Sequence, residues 1–126
     1  MPDQVAPKYS YSNVEIVRIV DGDTVVAVVD LGFRVRMEMP LRIYGINTPE
    51  RAQANHDEAI AALTKILKMR PTKARPEPRT KVSVNTIKPA DKYGRYLAEI
   101  FLADGTTVAE RMIATGLATP YFGGAR

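Results

Sequence analysis

Cysteine is absent from the 126-residue sequence, which excludes structural disulfides, thiolate metal sites and cysteine nucleophiles. Long hydrophobic runs are absent too. None approaches membrane-spanning length, so no membrane partner is expected. The opening MPDQVAPKYSYSN is polar and proline-containing and lacks the charged-then-apolar pattern of an export signal; the expectation is a cytoplasmic protein. Histidine occurs once, as His56. It sits just ahead of a helical pattern, where a surface or capping role is the expectation. The length suits one domain with one modest core, and no linker divides it.

Charge is unevenly spread. The stretch from Lys65 to Lys81 holds seven basic residues and one acid, a net of +6, so the remainder of a chain of net +4 carries −2. Such a stretch attracts polyanions by counterion release and makes nucleic acid a natural partner. A solvated helix end running into a proline-stiffened loop would carry the same residues, so the stretch alone does not decide.

Residues 1–13 read as a flexible N-terminal arm, and residues 14–126 as the folded domain. Val14–Val20 and Thr24–Val29 are rich in β-branched residues and are separated by Asp-Gly, the pattern of a tight hairpin. After a turn at Asp30-Leu31-Gly32, Phe33, Val35, Met37 and Met39 alternate with Arg34, Arg36 and Glu38. A period of two predicts a half-buried strand with a basic outer face. Pro40 is expected to mark a bulge or break before Leu41–Ile46 resumes extended structure. Over Asp57–Met69 the apolar period becomes helical, and Pro71, Pro76 and Pro78 stop that helix. Val82–Ile87 and Tyr96–Leu102 are two more strands. Thr107 with Glu110 forms a capping box for a short helix that Gly116 ends. The methionines at 37, 39, 69 and 112 are expected to pack in the interior. The order β-β-β-α-β-β-α predicts an α+β protein, mainly β: a five-stranded OB-fold Greek-key barrel with two helices.

Three segments put polar groups where strand patterning does not call for them. In Val-Asp-Gly-Asp-Thr (20–24), Asp21 and Asp23 lie two apart, so extended backbone would aim both carboxylates to one side. In Tyr-Gly-Ile-Asn-Thr-Pro-Glu (44–50), Pro49 favours extended geometry at Thr48, with Glu50 beside it. In Asp-Lys-Tyr-Gly-Arg (91–95), a turn presents Tyr93 and Arg95 at the start of a strand. Hard divalent cations take carboxylate, amide and carbonyl oxygens of this kind. Cleaving a phosphodiester calls for a cation or arginine clamp on the phosphate and a group that orients or deprotonates water. Asp23, Asn47 and the Thr48 carbonyl could supply a metal site, Glu50 a base, and Arg42 and Arg95 guanidinium forks for phosphate oxygens. Each segment is also an ordinary turn or loop sequence; it is the three together, around this strand pattern, that point to chemistry.

Together they resemble the staphylococcal nuclease (thermonuclease) family. The resemblance rests on Val-Asp-Gly-Asp-Thr, Leu-Arg-Ile-Tyr-Gly-Ile-Asn-Thr-Pro-Glu and Asp-Lys-Tyr-Gly-Arg in family order, and covers about residues 14–122. It implies an OB-fold and calcium-dependent cleavage of DNA and RNA. By motif position it implies that Asp23 and Asn47 occupy two carboxylate metal-ligand positions and Thr48 a carbonyl ligand position. It likewise implies Glu50 as the general base, Arg42 and Arg95 as paired catalytic arginines, and Asp21 as a carboxylate standing behind the ligands. Tyr93, with Lys92 beside it, would contact the nucleotide, and Tyr121 would be a second such tyrosine.

Two departures stand out. The family typically has aspartate where this sequence has Asn47, and the site so loses one negative charge, which tunes metal affinity. Family members also commonly continue into a further helix beyond the position of Arg126. Its lack would lower monomer stability, or a second copy of the chain, forming a homodimer, could cover the surface. Two functions stay open: a metal-dependent nuclease preferring single strands, with activity weakened by Asn47, and an OB-fold module that binds single-stranded nucleic acid without cutting it.

Overall fold

The computed structural model describes residues 9–68, 80–89 and 95–121. Five strands close a mixed barrel: β1 (Tyr9–Asp21), β2 (Thr24–Gly32), β3 (Val35–Ile43), β5 (Thr80–Pro89) and β6 (Tyr96–Phe101), in the order β1-β2-β3-β6-β5 with β5 returning to β1. All neighbours are antiparallel except β3 and β6, which run parallel over Leu41–Ile43. Two helices, α1 (His56–Ile66) and α2 (Val108–Ala114), pack against each other, α1 also against β1 and α2 against β6. This is the OB-fold arrangement, in the α+β class.

The barrel is closed because alternate residues of each strand share one interior. Val14 and Ile16 of β1, Val25 and Ala27 of β2, Leu41 and Ile43 of β3, Val82 and Val84 of β5, and Ala98 and Ile100 of β6 are all buried in it. Leu63 and Leu67 from the α1 region and Met112 of α2 complete that core. Register shifts in β1 at Ile16–Arg18 and Ile19–Asp21 supply the bends that curl a flat sheet into a barrel. No helix among the described residues is long and apolar enough to cross a membrane.

Several local expectations change. β1 starts at Tyr9, not Val14, because Tyr9, Ser10 and Tyr11 pair with Thr86, Asn85 and Val84. These residues of the expected arm are mostly exposed strand, and their polar composition hides the pairing. Residues 1–8 lie outside the described chain. Pro40 causes no break: β3 runs through it in unbroken register with Val26. It sits where β3 has only β2 as a neighbour, so its missing N–H forfeits no bond on the other side. The half-buried face expected for Phe33, Val35, Met37 and Met39 is found only at Met39, which packs against the core; Phe33, Val35 and Met37 are exposed. Residues 31–38 are exposed on both faces, because β6 reaches β3 only at Leu41 and β1 follows β2 only as far as Val29. Met37 is therefore on the surface while Met112 is in the core; Met69 lies outside the described residues. The turn falls at Phe33-Arg34 rather than at Asp30–Gly32.

Helix α1 runs from His56 to Ile66, shorter than the expected 57–69. Helix α2 is capped as its sequence predicts, the Glu110 N–H donating to Thr107 Oγ1 at 3.1 Å and Gly116 closing it at φ 81°. A second sheet was not foreseen. Strand β4 (Gly45–Asn47) pairs antiparallel with β7 (Thr119–Tyr121). The Leu41–Ile46 run is thus split at Tyr44, where the chain leaves the barrel, and Gly45 takes φ 92°, a value that favours glycine.

Candidate active site

The turn between β1 and β2 is placed by close packing at Gly22. A Cβ added at Gly22 would lie 2.8 Å from Ala59 Cβ and 2.9 Å from Thr48 Oγ1. Helix α1 and the loop after β4 therefore rest directly on this turn, and only glycine leaves them room. Asp21 and Asp23 are fixed on either side of that contact. His56, the first residue of α1, strengthens it, with Nε2 3.0 Å from Asp21 Oδ1.

Asp23 is buried and well bonded. Its Oδ1 accepts from Thr24 Oγ1 at 3.2 Å, and its Oδ2 accepts from the Thr48 N–H at 3.2 Å and faces Arg42 Nη1 at 3.4 Å. Thr24 Oγ1 also accepts from Arg95 Nη1 at 3.5 Å. The Arg42 guanidinium is gripped from behind: Nη1 donates to the Ile43 and Ile46 carbonyls at 3.1 and 3.0 Å, and Nη2 donates to Asn47 Oδ1 at 2.6 Å. Both ion-pair partners are only 13% exposed, so their charges act through a medium less screening than water. Glu50 lies on the exposed loop after Pro49. Gln53 folds the backbone there, accepting from the Glu50 N–H through Oε1 and donating its own N–H to the Glu50 carbonyl.

These groups surround one open cavity of about 580 Å³, lined by Asp21, Asp23, Arg42, Thr48, Glu50 and Arg95, with Arg51 beside them. Six of the expected residues, drawn from the β1–β2 turn, β3, the loop after β4 and the start of β6, thus meet at one place. Asn47 faces elsewhere. It lines a neighbouring cavity of about 300 Å³ with Thr48, Gln53 and Thr119, because pairing with Thr119 fixes β4 and Arg42 holds the Asn47 amide oxygen. Tyr121 is half-buried on β7 opposite Gly45 and lines neither cavity. Lys92 and Tyr93 lie outside the described residues.

The carboxylates of Asp21, Asp23 and Glu50 that line the cavity are oxygen donors of the hard kind that calcium or magnesium accepts, as is a backbone carbonyl such as that of Thr48. Among the described residues no three His, Cys, Asp or Glu side chains gather closely enough to hold an ion by themselves. A cation bound here would complete its shell with carbonyl oxygen and water. The charge count around the cavity is even, three carboxylates against three arginines. A divalent cation would tip it positive, as an anionic phosphodiester requires.

The family model for staphylococcal nuclease homologues matches residues 40–125. The chain belongs to that family. The match opens at Pro40, so β1, β2 and the Asp21-Gly22-Asp23 turn lie ahead of it, while Arg42, Asn47, Thr48, Glu50 and Arg95 lie within it. No curated protein matches the chain. For a staphylococcal nuclease homologue, the contacts least visible in sequence are the His56–Asp21 bond, the Gln53 brace on Glu50 and the β4–β7 sheet. The first spans 35 positions and the last joins two three-residue strands. No periodicity marks either one.

Proposed function

We propose that this staphylococcal nuclease homologue is a calcium-dependent nuclease that hydrolyses DNA or RNA strands in the cavity described above. The observation that carries this reading is the meeting of Arg42, Glu50 and Arg95 with Asp21, Asp23 and Thr48 around one cavity.

Arg42 and Arg95 clamp the non-bridging phosphate oxygens. Arg42 is anchored through Ile43, Ile46 and Asn47, so little reorganisation is needed as charge builds on the phosphoryl group. Glu50, exposed at the rim, orients and deprotonates the attacking water. Asp23 and the Thr48 carbonyl would hold calcium, joined by Asn47 if its amide turned from Arg42, and the ion would supply Lewis-acid polarisation of the phosphate. Asp21 stands behind them, tied to His56. By motif position in the family, Lys92 and Tyr93 would contact the nucleotide, and Tyr121 would do so from outside the cavity lining. The preferred substrate is single-stranded, since an open groove with separate phosphate holds accepts a flexible strand.

The second reading, a module that binds strands and cuts poorly, draws on the same geometry. Asn47 is neutral and engaged by Arg42, leaving the cation fewer charged ligands. A divalent-ion titration with a fluorescent single-stranded substrate tests both. Cleavage that rises with calcium and vanishes with chelator is the expected result. Tight binding with no cleavage at any calcium level would replace the nuclease with the binding module.

A further inference from the structure

Beyond Val29 and Met39 the β2–β3 hairpin leaves the barrel as a two-stranded ribbon that no other described element packs on: every residue from Leu31 to Glu38 is exposed. Its surface is unusual for a solvated arm. Phe33 is 101% exposed at the tip, with Leu31, Val35 and Met37 between 41% and 51% exposed behind it. Arg34 and Arg36 alternate with them, and residues 31–37 contain no acid. Asp30, at the base, accepts from the Gly32 N–H at 2.9 Å and so serves the turn itself.

The turn is also strained. Phe33 and Arg34 have φ 54° and 63°, the left-handed region that a two-residue hairpin of this type normally fills with Asn-Gly. A bulky aromatic there is an outlier. Strain of this kind persists where structure or function demands it, and among the described residues no packing on the exposed Phe33 demands it.

We propose that the β2–β3 ribbon is a second hold on the nucleic-acid strand, Phe33 stacking on a base and Arg34 and Arg36 meeting adjacent phosphates. The proposal rests on the nucleic-acid reading of the cavity, to which the ribbon is physically continuous: Arg42, paired with Thr24 at the other end of the same hairpin, lines the cavity. The alternation of apolar and cationic side chains suits a polymer that alternates stackable bases with anions. An apolar protein surface would instead have to bury both guanidinium groups without partners. From Thr24 to Gly32 the strand advances roughly 27 Å at about 3.4 Å per residue. A stacked nucleic-acid strand rises about 3.4 Å per nucleotide, so about eight nucleotides separate the two holds.

The test is fluorescence anisotropy on the full chain, without divalent ions so that the strand stays intact, using labelled single strands of about four and about sixteen nucleotides, either side of that length. The longer strand should bind more tightly. Phe33→Ala should weaken the longer strand roughly tenfold, as loss of one stacked base does, and leave the shorter one unchanged. Phe33→Tyr should retain the affinity and Phe33→Leu should lose it. Replacing Arg34 and Arg36 together by Ala should lower the slope of log affinity against log salt by about 1.4 for the longer strand. Phe33 touches no core residue, so these variants remain folded. Full affinity in Phe33→Leu, or equal binding of both lengths by the parent chain, would overturn the ribbon's role while leaving the cavity reading intact. A Phe33→Ala protein that binds strands normally but dissociates from dimer to monomer in sedimentation, or no longer binds anionic vesicles, would reassign the ribbon to a second copy or to a lipid surface. If neither length binds the parent chain, the ribbon is no hold on a strand and the proposal falls, while the cavity reading is judged by the calcium titration.

Discussion

His56 Nε2 lies 3.0 Å from Asp21 Oδ1, joining the first residue of α1 to a carboxylate of the cavity wall. The bond raises the imidazole pKa above its ordinary 6.5; partial desolvation opposes it, and Asp57, whose Oδ1 is 3.4 Å from Nδ1, adds to it. A histidine whose pKa is raised on folding contributes stability that is fully present below 6.5 and is lost as pH rises through the folded value. The melting temperature should therefore decline across that window, and His56→Gln should flatten the decline. Because His56 is the only histidine, proton NMR can follow its titration without assignment ambiguity. A midpoint at or below 6.5 would refute the ion pair.

Gly22 should tolerate no side chain. Gly22→Ala would push a methyl group to 2.8 Å from Ala59 Cβ and 2.9 Å from Thr48 Oγ1, and neither neighbour is the free end of a flexible chain. Overpacking of this kind destabilises by about 1–3 kcal/mol. Urea denaturation should show a lower midpoint with an unchanged slope. An unchanged midpoint would mean that α1 does not sit on the turn.

Thr107 should matter to α2 through one oxygen. Its Oγ1 accepts the Glu110 N–H at 3.1 Å and donates to Glu110 Oε1 at 3.1 Å. Thr107→Ala should cost about 1 kcal/mol, whereas Thr107→Ser, which keeps the hydroxyl, should be close to neutral. Equal losses in both would show that the methyl group, and not the cap, is what counts.

The barrel was legible because its strands obey two simple rules. Val14–Val20 and Thr24–Val29 are rich in β-branched residues, and Asp-Gly marks the turn that joins β1 to β2. The short helix was legible from Thr107, Glu110 and Gly116 alone. Pattern failed where environment overrides it. Phe33, Val35 and Met37 carry a period of two, but that period says only that alternate side chains share a face, not that another layer covers it. Tyr9–Tyr11 looks like a loose polar arm, yet β5 offers it a free edge. In the cavity, Asp21, Asp23, Arg42, Thr48, Glu50 and Arg95 could be named from three short segments, since each segment brings chemistry that its strand does not need. The direction of Asn47 could not, because it depends on Arg42 and on β7, one five residues earlier and the other more than seventy residues later.

Glu50→Gln separates catalysis from binding. The substitution keeps the size of the side chain and removes its capacity to take a proton, while Arg42 and Arg95 stay in place. Cleavage should fall by at least about a hundredfold, the usual worth of a general base, and strand affinity should change little. Measuring turnover and anisotropy on one preparation checks both halves. A parallel loss of affinity would make Glu50 a structural residue of the loop that Gln53 braces.

Asn47→Asp bears most directly on the metal. The Asn47 amide oxygen now accepts from Arg42 Nη2 at 2.6 Å, and the new carboxylate would meet the same guanidinium with a full charge. It would also add a negative charge close to Asp23, which Arg42 approaches at 3.4 Å. If position 47 shares a cation with Asp23 and Thr48, the added charge should tighten calcium binding on the order of tenfold and raise cleavage at limiting calcium. If position 47 only anchors Arg42, calcium affinity should stay the same and stability should rise by about 1 kcal/mol, the scale of a strengthened, partly buried ion pair. Calorimetric titration of calcium into both proteins, read beside their melting curves, tells these apart. Equal and negligible heats would remove the cation from this barrel altogether, and strand binding would then be what the cavity does.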